Sequence, residues 1–311
     1  MYPRTPAAMV IGMSLALGLI GSAGGQQGSW ASGPPVPTPR AEVAVAEMGG
    51  QVYVLGGGVG PSLQANEVFD SAAQTWASRA AMPQALNHHG AASLNNRLYV
   101  FGGFDPNGRP TTAALEYDPS SDSWRSLAAL PTPRGSPGVA VLGGLIYVVG
   151  GIGVRNLPVT EIYDPSADSW RPGGDLNLAR DHFVLASAGG WLYSIGGRIG
   201  NFARNVDTVE VYDPSAGLWS FATPMPEARS GITGAVVGSQ IYVFGGEDPA
   251  QTHGEVFVYD TASDSWGQGA PMPTPRHGLG AATIGGSISV LAGGLRPGGG
   301  SDTDTHEIFT P

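Results

Sequence analysis

Residues 145–151 read LIYVVGG, and the same cadence returns at QVYVLGG (51–57), RLYVFGG (97–103), WLYSIGG (191–197) and QIYVFGG (240–246). A sixth copy, SISVLAG (287–293), keeps the phase, with Ala292 for the first glycine and Ser289 for the tyrosine. Successive doublet positions lie 46, 48, 46, 49 and 47 residues apart. Three further landmarks recur in step. Tryptophans stand at 30, 76, 124, 170, 219 and 266. Between doublet and tryptophan come EVFD (67–70), LEYD (115–118), EIYD (161–164), VEVYD (209–213), FVYD (257–260) and HEIF (306–309). An arginine sits sixteen residues before the doublet at Arg40, Arg134, Arg180, Arg229 and Arg276, with Leu86 in the second unit.

Each unit thus predicts four short β-runs. The Arg-led run meets the Tyr run through a pair such as Gly49-Gly50, Asn95-Asn96 or Gly143-Gly144, suited to the positive φ of a tight hairpin. The EVYD-type run turns through DPSSDSW or DPSADSW, where Asp and Pro fix the turn. The runs are apolar almost throughout, as in sheets covered on both faces. One such sheet cannot cover both faces alone; units stacked radially can, so the expected fold is all-β, a six-bladed β-propeller of four-stranded antiparallel blades. The chain opens this pattern on an orphan Trp strand and ends after a third strand. The segment 28–36 is therefore expected to close the ring as the outer strand of the last blade, since open sheet edges would otherwise remain. Blades are expected near 37–82, 83–130, 131–176, 177–225, 226–272 and 273–311.

The double glycine, the tyrosine before it and the phased tryptophan, in units of just under fifty residues, resemble the Kelch family over residues 28–311. Leu86, Ala292 and Ser289 depart from the pattern locally.

Composition agrees with a turn-rich fold. The 49 glycines and 26 prolines make up close to a quarter of 311 residues, poor material for long helices, while 41% hydrophobic residues supply a core. There is no cysteine, which excludes disulfides and thiolate chemistry, and all fifteen basic residues are arginines, which excludes Schiff-base lysines. A net charge of −10 argues against a nucleic-acid partner. Arg4, the apolar run from Ala7 to Ile20 and small residues to Gly25 read as a signal peptide over residues 1–25, so the propeller, residues 26–311, is expected to be exported.

Alternating connections place the six variable second-to-third loops at one mouth, the expected place for binding. Two position classes should face the axis there. One follows the doublet and includes Phe104, Arg198 and Glu247. The other follows the Arg landmark and includes Glu42, His88, Asp181, His182, Ser230 and His277. In peptide-binding Kelch propellers, positions similar to these line the pocket. The resemblance thus implies a non-catalytic interaction module holding a protein or peptide, or a small carbohydrate, at the channel mouth; a monomer is expected, with no nucleic-acid partner and no membrane after signal cleavage. No cofactor is expected. Neighbouring His88 and His89 should point to opposite faces, and no spacing fixes a metal. The copper oxidases that resemble Kelch propellers use a Tyr–Cys crosslink, closed to a chain without cysteine. The competing enzyme reading is an exported sugar mutarotase, with Glu247 as acid/base and Arg198 or Arg229 as the cation. The Gly doublets, Tyr and Trp read as structural, and the Arg landmark as a brace within the blade.

Overall fold

The computed structural model describes residues 27–58 and 61–311; the expected signal peptide, residues 1–25, lies outside the described residues. Among the described residues, twenty-four strands form six sheets of four and no helix occurs. The chain starts with β1 (Ser29–Ser32). Blade 1 is β2 (Ala44–Met48), β3 (Gln51–Leu55), β4 (Asn66–Asp70) and β5 (Thr75–Ser78). Blade 2 is β6 (Gly90–Leu94), β7 (Arg97–Phe101), β8 (Ala114–Asp118) and β9 (Ser123–Ser126). Blade 3 is β10 (Gly138–Leu142), β11 (Leu145–Val149), β12 (Thr160–Asp164) and β13 (Ser169–Pro172). Blade 4 is β14 (Val184–Ala188), β15 (Trp191–Ile195), β16 (Val209–Asp213) and β17 (Leu218–Ala222). Blade 5 is β18 (Ser230–Val237), β19 (Gln240–Glu247), β20 (Val256–Asp260) and β21 (Ser265–Gly269). Blade 6 is β22 (Gly280–Ile284), β23 (Ser287–Leu291) and β24 (His306–Thr310), and β1 completes it in the order β1-β24-β23-β22.

Closure joins the ends as the phase of the landmarks predicts. Trp30 faces Phe309 across the antiparallel β1–β24 pair, and its ring lies 5.0 Å from Phe309 and 5.8 Å from Phe244 of blade 5. The second and third strands of each blade are buried nearly throughout, and six apolar clusters fill the spaces between neighbouring blades.

Each landmark has one repeated task. The second glycine of a doublet donates its N–H to the carbonyl at the Arg position of the next blade: Gly103 to Arg134, Gly151 to Arg180, Gly197 to Arg229, and Gly293 across the closure to Arg40. A side chain at the first glycine would block that approach. A Cβ on Gly102 would fall 2.5 Å from Arg134 O, and its φ of 65° suits glycine. The tryptophans clip the rim: Trp124 Nε1 donates to Ala80 O (2.8 Å) and Trp170 Nε1 to Ala128 O (2.8 Å), each reaching the preceding blade.

The arginines are braces, as expected. Arg134 is buried, pairs with Glu161 of β12 at 2.6 Å and donates to Gly150 O and Val159 O. Arg40–Glu67, Arg180–Glu210 and Arg276–Glu307 repeat the pairing. Two blades vary it. In blade 2 both members of the pair are leucines, Leu86 for the arginine and Leu115 at the register position of the glutamate, both buried, while Glu116 one position on pairs with Arg125 of β9 at 2.6 Å. Where Phe257 replaces the glutamate, Arg229 lies over its ring (4.7 Å) and binds Glu227 and Glu255.

His306 is a buried part of the closure. Its Nδ1 meets Pro34 O (3.0 Å) and its Nε2 meets Ser289 Oγ (3.2 Å), with Phe69 and Trp76 packed around it and Arg276 and Glu307 nearby. Burial lowers its pKa to about 4 from 6.5. Above pH 6.5 neither the folded nor the unfolded chain carries this proton. As pH falls from 6.5 to 4 the unfolded chain gains a proton that the fold excludes, so stability falls across that window and levels off below it. The loss attributable to His306 is on the order of 3 kcal/mol. Urea titrations of wild type and His306→Gln should show a shallower pH slope in the variant between 6.5 and 4; equal slopes would contradict this role.

Candidate functional site

The residues just after the Arg landmark build a ring around the axis. Glu42, His88, Ser136, His182, Gly231 and Gly278, one per blade, all have left-handed backbone, with φ between 50° and 65°. In that conformation each N–H can reach the carbonyl of its counterpart in the preceding blade. Glu42 N donates to Gly278 O (2.6 Å), His88 N to Glu42 O (3.0 Å), Ser136 N to His88 O (2.7 Å), Gly231 N to His182 O (3.1 Å) and Gly278 N to Gly231 O (2.9 Å). Ser136 and His182 meet through Ser136 Oγ and His182 Nε2 at 3.3 Å. Left-handed backbone is uncommon for side-chain-bearing residues, and four of the six here carry one.

The two position classes predicted from sequence are cross-strand partners. Asn87 bridges to Phe104, Asp181 to Arg198 and His277 to Gly294, while Ser230 pairs with Glu247 inside the longer strands β18 and β19. Their side chains form a continuous polar network. Arg198 donates from Nε to Asp181 Oδ1 (3.1 Å), from Nη1 to Glu247 Oε1 (3.0 Å) and from Nη2 to His182 Nε2 (2.7 Å). Glu247 Oε2 accepts from Gly298 N (2.8 Å) and lies 3.7 Å from His277 Nε2, which is 3.6 Å from Glu42 Oε1. Glu42 Oε2 is 3.2 Å from His88 Nε2. The His88 and His182 rings, from blades two apart, are 4.9 Å apart, as only side chains converging on the axis can be. Gly278 leaves room for this packing, since a Cβ there would fall 2.5 Å from Glu42 Oε1.

Electrostatics follow from this crowding. Burial works to raise the pKa of Glu42, but His88, His182, His277 and Arg198 hold it down to about 2. Burial lowers His88 to about 4 against the opposing pull of Glu42. The ring residues themselves line a cavity of about 100 Å³, together with Val43, His89, Phe183, Ile232 and Leu279. His88 and His89 both border this cavity, but the His89 ring packs against Gly56 of blade 1, where a Cβ would fall 2.5 Å from its Cε1, while the His88 ring meets His182.

Seven of the nine predicted site residues join one network: Glu42, His88, Asp181, His182, Arg198, Glu247 and His277. Phe104 stands beside it, edge-on to His88 at 5.4 Å. Ser230 is fully buried, with its hydroxyl unpartnered, and is not presented at the mouth. Arg229, weighed beside Arg198 as a cation for Glu247, is committed to Glu227 and Glu255 instead. Sequence reasoning did not single out Asn156, Asn205 and Gly298. Asn156 donates to Asp181, and Asn205 Nδ2 to Glu247 O (2.6 Å). They lie in the variable loops of other repeat units, where no phased signal marks them.

The mouth opens at one side into a cavity of about 400 Å³, bounded by Ser62, Asn87, His88, Phe104, Asp105 and Pro106. On the same loop-bearing end, Val154 is fully exposed and Leu295 is exposed. Two groups place carboxylate and imidazole donors within metal-ligating reach: Glu42, His88 and His182 at the axis, and Glu227, His253 and Glu255 on blade 5. In the second group the Arg229 guanidinium already occupies the carboxylates. No helix among the described residues is long and apolar enough to cross a membrane.

Comparison with known proteins places the chain. The KLHDC2/KLHL20/DRC7 Kelch-repeats domain model matches residues 28–197, and the Kelch motif model matches 179–226 and 228–273. An F-box/kelch-repeat protein of Arabidopsis thaliana is 37% identical over 80 residues, 24% of this chain and 21% of that protein. Kelch-like protein 25 of Rattus norvegicus and of Homo sapiens is 37% identical over 70 residues, 22% of this chain and 12% of theirs. The chain therefore matches about a fifth or less of the length of these relatives. The solved structure of YjhT superposes with a TM-score of 0.79 over 90% of this chain and 97% of that one, at 17% identity, a likeness of fold.

Proposed function

The chain belongs to the Kelch-repeat family, and on that premise we propose that it is an interaction module holding a protein or peptide partner at the loop-bearing mouth of its propeller. The observation that carries this reading is the cavity of about 400 Å³ beside Phe104 and His88, adjoining the ionisable axial ring. An aromatic edge next to fixed polar groups suits a side chain with an apolar body and a polar end. Exposed Val154 and Leu295 on the surrounding loops supply apolar contact area for a partner larger than the cavity. A small carbohydrate is the second ligand class. Export belongs to the same reading through residues 1–25, and secreted material whose intact mass begins at Met1 would contradict it.

The mutarotase reading requires Glu247 and Arg198 side by side, and they are 3.0 Å apart. Yet the Glu247 carboxylate is buried and capped by Gly298 N, which favours a role in holding the mouth together over proton transfer to a bound sugar.

A thermal-shift panel of peptides and saccharides tests the proposal, because a ligand of the folded state raises the melting temperature by mass action. A peptide is expected to stabilise wild type, with at least about tenfold weaker binding in Phe104→Ala. If every ligand found binds equally well when Glu42, His88, His182, Arg198 and Glu247 are each replaced, the mouth is not the site. Exchange between sugar anomers measured by NMR, lost in Glu247→Gln, would instead establish the enzyme.

A further inference from the structure

The axial ring brings together three ligand-type side chains that the local sequence holds far apart. We propose that Glu42, His88 and His182 form a mononuclear site for a divalent transition metal of the Zn²⁺ class at the loop-side end of the propeller axis. One donor atom from each lies within 4.8 Å of the other two. Two ligands of one tetrahedral zinc, each about 2.0–2.1 Å from the ion, stand about 3.3–3.4 Å apart. Glu42 Oε2 and His88 Nε2 already meet that spacing at 3.2 Å, and the His182 donor lies within 4.8 Å of both other residues' donors.

The surroundings of the two imidazoles point the same way. Metal-ligating histidines characteristically give their other ring N–H to a carboxylate or carbonyl oxygen. His182 Nδ1 is held by Asp181 Oδ1, and His88 Nδ1 by Asn87 Oδ1 at 2.6 Å. Asn87 is fixed in turn, its amide nitrogen donating to Ser62 Oγ at 2.7 Å. With both Nδ1 atoms donating, both Nε2 lone pairs face the axis. The His88 lone pair then confronts a carboxylate oxygen at 3.2 Å, a contact that a shared cation makes attractive. At His182, Nε2 accepts a hydrogen bond from Arg198 Nη2 at 2.7 Å, so its lone pair is available as an acceptor. A metal there displaces this bond and the longer contact with Ser136 Oγ at 3.3 Å, and Arg198 stays anchored to Asp181 and Glu247.

Charge completes the argument. The guanidinium of Arg198 pairs with Asp181 and Glu247, so the neighbours of the Glu42 carboxylate within ion-pair distance are the imidazoles of His88 and His277. A buried carboxylate needs a cationic partner, and a divalent ion held between Glu42 and the imidazoles supplies one. Hard oxygen-seeking cations suit the site less well, because two of its three donors are imidazole nitrogens. Local spacing cannot reveal such a site, because its ligands come from blades 1, 2 and 4.

The test uses the untagged full chain, stripped with a chelator and titrated with Zn²⁺ or with Co²⁺ as a visible-absorbing probe. One ion per chain is expected, with the d–d bands of nitrogen and oxygen coordination. Glu42→Gln and His182→Gln should weaken binding at least about tenfold, and Asp181→Asn, which releases the ring held behind the ligand, about 10–100-fold. His253→Gln, in the blade 5 cluster, should leave it unchanged. Should an axial variant fail to fold, wild type alone decides: on adding Zn²⁺, ¹⁵N spectra should move two imidazole Nε2 resonances, from His88 and His182. No ion bound at micromolar concentration, no shift of those two rings, or binding that is lost with His253 would each overturn the proposal.

Discussion

Removing residues 28–36 is expected to lower the melting temperature by roughly 10 °C or more. The segment touches three blades. Its N-terminal part supplies the fourth strand of blade 6, with Trp30 packed on Phe309 and Phe244 and its Nε1 donating to Ala270 O at 2.9 Å. Farther along, Gly33 N and Val36 N donate to His306 O and Asp304 O. Pro34 O accepts from Trp76 Nε1 at 3.0 Å, tying the segment to the rim of blade 1, and Val36 is buried with Val52, Val54 and Phe69. Burial of Trp30 and Val36 contributes about 1.5–3 kcal/mol each, and the hydrogen bonds about 1 kcal/mol each. At about 2–4 °C per kcal/mol for a chain of this size, the loss exceeds 10 °C. The deletion also leaves β24 as an open edge, so concentration-dependent association should accompany it. Unchanged melting would mean that the ring does not depend on this closure.

Replacing Arg180 by leucine is expected to cost about 3–5 kcal/mol, because it strands a buried carboxylate. Both Arg180 and Glu210 are fully buried. Arg180 also donates to Leu178 O, Ser194 O and Ser194 Oγ, so the guanidinium joins the link that leads into β14 to the second and third strands of blade 4. Blade 2 shows that leucine itself fits the position, as Leu86 is buried there, but in that blade Leu115 stands at the register position of Glu210, so no carboxylate is left behind. The penalty in blade 4 is therefore the unpaired charge rather than the shape. Arg180→Leu combined with Glu210→Leu should recover about 2 kcal/mol or more relative to the sum of the single changes. Chemical denaturation of the four proteins measures that coupling, and strictly additive losses would show that the two groups act separately.

The fold was legible because the glycine and tryptophan landmarks each repeat one contact in all six blades. Glycine doublets reach the next blade's carbonyl, and tryptophans reach the previous blade's rim. Where the contact is altered the letter is altered too, as with Leu86 and with Phe257 opposite Arg229. Ala292 shows the limit of the pattern: it keeps the left-handed backbone of the glycine it replaces, with φ of 60°. The site was legible as two position classes but not as a network. Which atoms meet depends on contacts across blades, such as His88 with His182 or His277 with Glu42, and these have no fixed spacing along the chain. The loop residues Asn156, Asn205 and Gly298 escape for the same reason. Ser230 occupies a predicted position, but its side chain is buried, an outcome that the phase of a repeat does not determine.

Hydrogen exchange by mass spectrometry, with and without a ligand from the peptide panel, tests the central claim most directly. Binding at the mouth predicts protection concentrated in residues 85–90 and 102–112, which carry His88 and Phe104, with the outer strands unchanged. Protection centred instead on β17, where Leu218 and Phe221 lie exposed on the rim of blade 4, with the mouth unaffected, would contradict it.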